Sequence, residues 1–207
     1  LHAMVSTWSS CVELPIQRLF IALSAQKGLC MYGGDARDAY AHAPAPEMMT
    51  HLTTDDAYYE WYKEKTGKSL NRRFVLPVLH SLQGHPESGK MWMKLIDRIL
   101  IKDLGFKTTT KDRCIYIKKI DGRIILLLRQ VDDFCLLCTD EQDAKNIYNL
   151  IGTKIQFQSK REKGDIPFEY LGLVRDYNGT DLVQTKKYIK MNCSNYINRF
   201  LKSHGWD

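Results

Sequence analysis

Two adjacent carboxylates, Asp132 and Asp133, follow Val131 between the apolar arms Ile124 to Leu128 and Phe134 to Leu137. A tight hairpin joining those arms holds both side chains at one tip. Asp is common at turns, so a solvated turn is the ordinary explanation. Like charges crowded together are costly, however, unless a hard cation screens them, and carboxylate oxygens are the donors Mg²⁺ prefers. A metal held by one turn needs another ligand from elsewhere. Asp35, which follows the short strand Leu29 to Tyr32 and the pair Gly33-Gly34, is a carboxylate at a strand end, and Tyr40 stands a few residues beyond it.

The elements that must position these groups come from the pattern of apolar residues. Ile16, Leu19, Phe20 and Leu23 recur at helical spacing and stop at Gly28. Asp55 to Lys65 reads as a surface helix whose Tyr58, Tyr59, Trp61 and Tyr62 are mostly packing residues. Ser81 to Gly89 is a loop of small residues and turn formers, and Lys90 to Leu104 is a helix ended by Gly105. Cys114 to Ile120, Arg123 to Val131 and Phe134 to Cys138 are consecutive strands, the first two joined at Asp121-Gly122 and the next turn falling on Asp132-Asp133. Glu141 to Ile151 is an amphipathic helix, a second hairpin turns at Asn178-Gly179, and Tyr188 to Ser203 is a closing helix. Strands and helices alternate without regular parallel units, which predicts an α+β fold.

With 207 residues, 44% of them hydrophobic, the chain can bury a sizeable core, and no apolar run is long enough for a membrane span. Thirty Lys and Arg against 24 Asp and Glu give a net charge of +6, which tolerates a polyanionic partner. Cys135 and Cys138 are the only close cysteine pair, with no second pair to complete a zinc site, so reduced, buried thiols are expected. Leu1 to Gln17 lacks the layout of a secretory signal, and the expectation is a fragment working inside a cell.

The segment Asp35-Ala36-Arg37-Asp38-Ala39-Tyr40, the loop Gly84 to Gly89 and the turn Val131-Asp132-Asp133 resemble, in this order, the palm of reverse transcriptases. The closest likeness is to the copia type of retrotransposon polymerase, over nearly the whole chain. Trp8-Ser9-Ser10 is similar to the family's stretch ahead of the first catalytic Asp, and Leu79 to Trp92 to its second motif. Phe168-Glu169-Tyr170-Leu171-Gly172-Leu173 resembles the primer-grip hairpin, and Lys186-Lys187-Tyr188-Ile189 the start of the thumb. The family usually has an aromatic residue where this chain has Gln130, and a Tyr where it has Gln83.

The resemblance implies a single reverse transcriptase domain over 1–207, a right-hand polymerase palm with an antiparallel sheet and packed helices, with partial fingers and palm over 1–180 and the beginning of a thumb over 181–207. It implies RNA-directed DNA synthesis with two Mg²⁺ ions, or Mn²⁺ in their place, one lowering the pKa of the primer 3′-hydroxyl and the other holding the incoming triphosphate. Asp35 and Asp132 are then the bridging ligands and Asp133 the third catalytic carboxylate. Tyr40 matches the aromatic that blocks a ribose 2′-hydroxyl, against the alternative of a half-buried core Tyr. Gln83 and Gly84 line the template and nucleotide pocket, against that of an ordinary helix entry. Tyr170, Leu171, Gly172, Lys186 and Lys187 contact nucleic acid, and one of Lys154, Lys160 and Lys163 protonates the pyrophosphate. Leu182 to His204 carries five Lys or Arg and no acid, which suits a phosphate backbone or merely a solvated helix face. The implied partners are an RNA template, a DNA primer, deoxynucleoside triphosphates and the rest of a retrotransposon polyprotein, with no membrane, in a cytoplasmic virus-like particle or the nucleus. A remnant that has lost catalysis and keeps nucleic-acid binding is the alternative.

Overall fold

In the computed structural model, residues 7–157, 173–185 and 187–206 are described. The chain divides into two compact units, Leu1–Trp8 with Tyr40–Leu95 and Ser9–Ala39 with Ile96–Asp207.

In chain order the elements are α1 (Leu14–Lys27), β1 (Cys30–Asp35), α2 (Ala39–His42), β2 (His51–Thr53), α3 (Asp56–Thr66), β3 (Val75–Pro77) and α4 (Ser88–Asp97). A π-helical segment Arg98–Asp103 follows, then β4 (Lys107–Thr108), β5 (Ile115–Ile120), β6 (Arg123–Gln130), β7 (Asp133–Cys138) and α5 (Glu141–Gly152). The last are β8 (Asp176–Tyr177), β9 (Thr180–Gln184), β10 (Ile189–Asn192) and α6 (Ser194–Ser203). Among the described residues no helix is long and apolar enough to cross a membrane.

The larger unit is built on an antiparallel sheet ordered β1-β7-β6-β5-β4. Alternation along these strands makes two faces. Met31, Leu128, Cys135 and Leu137 pack with Phe20 and Ile21 of α1 and with Val174, Tyr177 and Leu182. The opposite face carries Tyr32, Leu127, Phe134 and Leu136, and α5 packs on β1 and β7. The second sheet, β10-β9-β8, is hydrogen-bonded to β1 through Gln184, which accepts the Met31 N–H (2.8 Å) and donates to the carbonyls of Met31 and Val174 (both 3.0 Å).

The hairpins at Asp121-Gly122 and Asn178-Gly179 form as expected, with positive φ at both central residues (48° and 79°, 49° and 75°), the type I′ requirement. Three other expectations shift. The helix over Lys90 to Leu104 begins at Ser88 and widens into the π-helical segment, where the Leu104 N–H reaches back to Ile99 O and the adjacent Ile99 and Leu100 are both buried. The closing helix starts at Ser194, because Ile189 to Asn192 pair with β9 and the Asp181 carboxylate then receives the Asn195 N–H. The turn expected at Asp132-Asp133 falls on Val131-Asp132, and Asp133 opens β7 opposite Gln130.

The smaller unit holds the two-stranded sheet of β2 and β3, the helix α3, and most of α4. Asp55 caps α3 by accepting the Tyr58 N–H, and Gly67 at φ 70° ends it. Tyr58 lies 5.5 Å from Trp61 and 6.4 Å from Tyr62, while Arg72 covers the Tyr59 ring, so the aromatic cluster packs locally on a helix that buries no residue. Glu47 receives Lys90 and Lys94, and these hydrogen bonds pull its carboxyl down to about 2.

Of the six cysteines, Cys114, Cys135 and Cys138 are buried and reduced, and burial pushes the Cys138 thiol up to about 12. Tyr177 is also buried, and its hydroxyl has no hydrogen-bond partner among the described residues. An unsatisfied buried hydroxyl costs about 1–3 kcal/mol. Tyr177→Phe is therefore expected to raise the melting temperature, by about 2–4 °C per kcal/mol recovered in a chain of this size. A lowered value in thermal melts would mean that the hydroxyl has a partner.

Candidate active site

β1 and β7 run antiparallel in a register that sets Asp35 directly opposite Asp133. Side chains of directly opposed residues project from the same face with Cβ atoms about 4.5–5.5 Å apart, so two carboxylates are held side by side at the end of the sheet. The third follows from the turn. The Ala36 N–H donates to Asp132 O (2.9 Å), which extends the β1 pairing one step past the strand and seats the turn against it. Asp35 and Asp133 are half-buried, while Asp132 is exposed.

Between β6 and β7 only Val131 and Asp132 remain, and Val131 has φ 54° whereas Asp132 does not have positive φ. That is the type II′ pattern, which favours glycine at its first central position. A β-branched residue there stores strain that the surrounding structure must hold.

Packing on the other face explains the glycine ahead of Asp35. A Cβ on Gly34 would meet Tyr148 Cε1 at 2.5 Å, and the Tyr148 hydroxyl sits against the carbonyls of Tyr32 (2.8 Å) and Phe134 (3.2 Å). The tyrosine of α5 thus lies across β1 and β7 just behind the two aspartates. Beyond β1 the chain turns at Asp38, exposed at φ 48° and ion-paired with Arg37.

Among the described residues no group of three or more His, Cys, Asp and Glu side chains converges as a ready-made metal cage. Mg²⁺ seldom needs one, since it is ordinarily held by one or two carboxylates with waters and substrate phosphates completing its octahedron. Two opposed carboxylates, with Asp132 exposed on the adjoining turn, fit that requirement, and the like-charge pair gives the cation a reason to bind.

Of the other residues singled out from sequence, Tyr40 lies half-buried in α2, and Gln83 and Gly84 form an exposed turn before α4 with Gly84 at φ 88°. All three belong to the smaller unit. Lys187 is exposed at the turn between β9 and β10, its N–H donating to Thr185 Oγ1, and Lys154 is exposed after α5. Tyr170, Leu171, Gly172, Lys186, Lys160 and Lys163 lie outside the described residues. Sequence reasoning gave Tyr148 no role, and its only signal was the unexplained pair Gly33-Gly34.

Residues 2–206 match the family model described as reverse transcriptase (RNA-dependent DNA polymerase). No curated protein matches the chain.

Proposed function

The chain belongs to the reverse transcriptase (RNA-dependent DNA polymerase) family, and from that premise we propose that it is the polymerase domain of a copia-type retrotransposon polyprotein acting inside the cell. The observation that carries the site assignment is the register of Asp35 against Asp133, with Asp132 seated on Ala36 at the hairpin tip. In this reading Asp35 and Asp132 hold two Mg²⁺ ions, and Asp133 contributes the third carboxylate. Bound there, the metal supplies charge neutralisation at the transferring phosphoryl group and activation of the primer 3′-hydroxyl. The protein's part is placement: β1 and β7 fix two carboxylates across one register step, and the turn presents the exposed third. Gln83 and Gly84 border the nucleotide pocket, while Lys187, with Lys186 and Tyr170 to Gly172, contacts primer and template. The palm and fingers extend over 1–180 and the thumb begins at 181.

The test is primer extension on poly-riboadenylate with an oligo-deoxythymidylate primer, using the full polymerase we propose the chain belongs to. Incorporation of deoxythymidylate that needs Mg²⁺ or Mn²⁺ is expected. A pure, folded protein that binds the primer-template and adds no nucleotide would instead make the chain a non-catalytic remnant.

Tyr40 is assigned the exclusion of the ribose 2′-hydroxyl. Tyr40→Val should open space for ribonucleotides, and the ratio of kcat/KM for deoxynucleotide over ribonucleotide should fall by on the order of 10- to 100-fold. An unchanged ratio would return Tyr40 to packing alone.

A further inference from the structure

The strained turn at Val131 raises the question of what holds it. One arm is accounted for, because β7 is paired with β1 and the Ala36 N–H fastens Asp132. The other arm, β6, ends in Arg129 and Gln130, and both side chains engage the same short segment ahead of α1. The Val12 N–H donates to Gln130 Oε1 (2.9 Å), and Arg129 Nη2 donates to Ser10 Oγ (3.2 Å). Arg129 and Gln130 are neighbours in a strand, so their side chains leave opposite faces, and Ser10 to Val12 grips the end of β6 from both. Arg129 is itself buried, and the Arg129 N–H donates to Cys114 O (2.9 Å), which anchors the grip in the sheet.

We infer that Ser10 to Val12 forms a clasp on β6 and that Gln130 is a positioning residue for the polymerase reaction, holding the Val131-Asp132 turn in its strained conformation and Asp132 at its working height. This rests on the catalytic assignment above. A left-handed Val costs on the order of 1–3 kcal/mol and persists only where its surroundings over-determine it. Gln130 supplies this fastening through its side-chain amide oxygen, the acceptor that the Val12 N–H meets.

The test uses Gln130→Met, which keeps the length of the side chain and removes the acceptor. Its first readout needs no activity: amide hydrogen exchange at Val12, which bonds Gln130, and at Ala36, which bonds Asp132. Both amides should exchange at least about tenfold faster in the variant. Adding Val131→Gly, which adopts positive φ without strain, should restore Ala36 protection and leave Val12 fast. In primer extension Gln130→Met should lower kcat with little change in deoxynucleotide KM, by up to the roughly 100-fold that a displacement near 1 Å can cause, and Val131→Gly should recover it. Unchanged exchange at Ala36 would overturn the clasp, and so would a kcat loss that Val131→Gly fails to recover. Wild-type protein that shows both protections and extends no primer would overturn the catalytic assignment alone.

Discussion

Replacing Asp132 by Asn is expected to abolish metal-dependent primer extension while leaving the fold intact. A carboxylate that helps hold the cation at the transferring phosphoryl group supports several kcal/mol of charge stabilisation, so extension should fall by on the order of 1000-fold or more. Asp132 is exposed at the turn, and its backbone carbonyl, which survives the substitution, is what bonds Ala36. Asp35→Asn should be equally inactive yet differ in stability, because Asp35 faces Asp133 across the register. Like charges so placed are destabilising by about 0.2–1 kcal/mol. The metal-free melting temperature should therefore rise by up to about 2–4 °C in Asp35→Asn and stay unchanged in Asp132→Asn. Added Mg²⁺ should stabilise the wild type by mass action and each variant less. Normal extension by either variant would remove that residue from the site, and a lowered metal-free melting temperature in Asp35→Asn would mean that the two carboxylates do not repel.

Gly34→Ala should be strongly destabilising for a change of one methyl group. The new Cβ meets the Tyr148 ring at 2.5 Å and Phe157 Cε1 at 3.1 Å. Neither ring can retreat easily: the Tyr148 hydroxyl is fastened to two carbonyls, and its ring meets Phe157 edge-on at 5.6 Å between centroids. Overpacking of this kind costs about 3 kcal/mol, which corresponds to a fall of about 6–12 °C in melting temperature. Tyr148→Leu in the Gly34→Ala background should recover part of that loss, so that the two changes are strongly non-additive in thermal melts. Additivity would mean that the clash is relieved elsewhere.

The parts of this architecture that sequence revealed are those set by local chemistry. Asp121-Gly122 and Asn178-Gly179 announce their turns because only a few residue types accept two successive positive φ angles. The β6–β7 turn lies one residue earlier than the sequence suggests for the same reason, since Asp accepts a turn readily and Val does not, and here the register against β1 overrides that preference. Ile189 to Asn192 reads as part of the closing helix because four residues carry too little periodicity to separate strand from helix, and its pairing with β9 is a tertiary matter. Asp35, Asp132 and Asp133 could be nominated from their type and order, but not the fact that Asp35 faces Asp133 rather than Asp132. The grip of Ser10 and Val12 on Arg129 and Gln130 spans more than a hundred residues of chain and leaves no periodic trace.

The Gln184 amide that joins β9 to β1 also bears on aggregation. A strand at the margin of a sheet offers a row of open N–H and C=O groups on which another chain can template itself. Here Val174 and Gln184 occupy those groups at Met31, and Leu173 bridges to Tyr32, so the first half of the outer side of β1 is taken. At the far margin β4 is only two residues long. Both margins of the main sheet are thereby blunted, β4 by its length and β1 by the bonds at Met31 and Tyr32, on the same strand as Asp35.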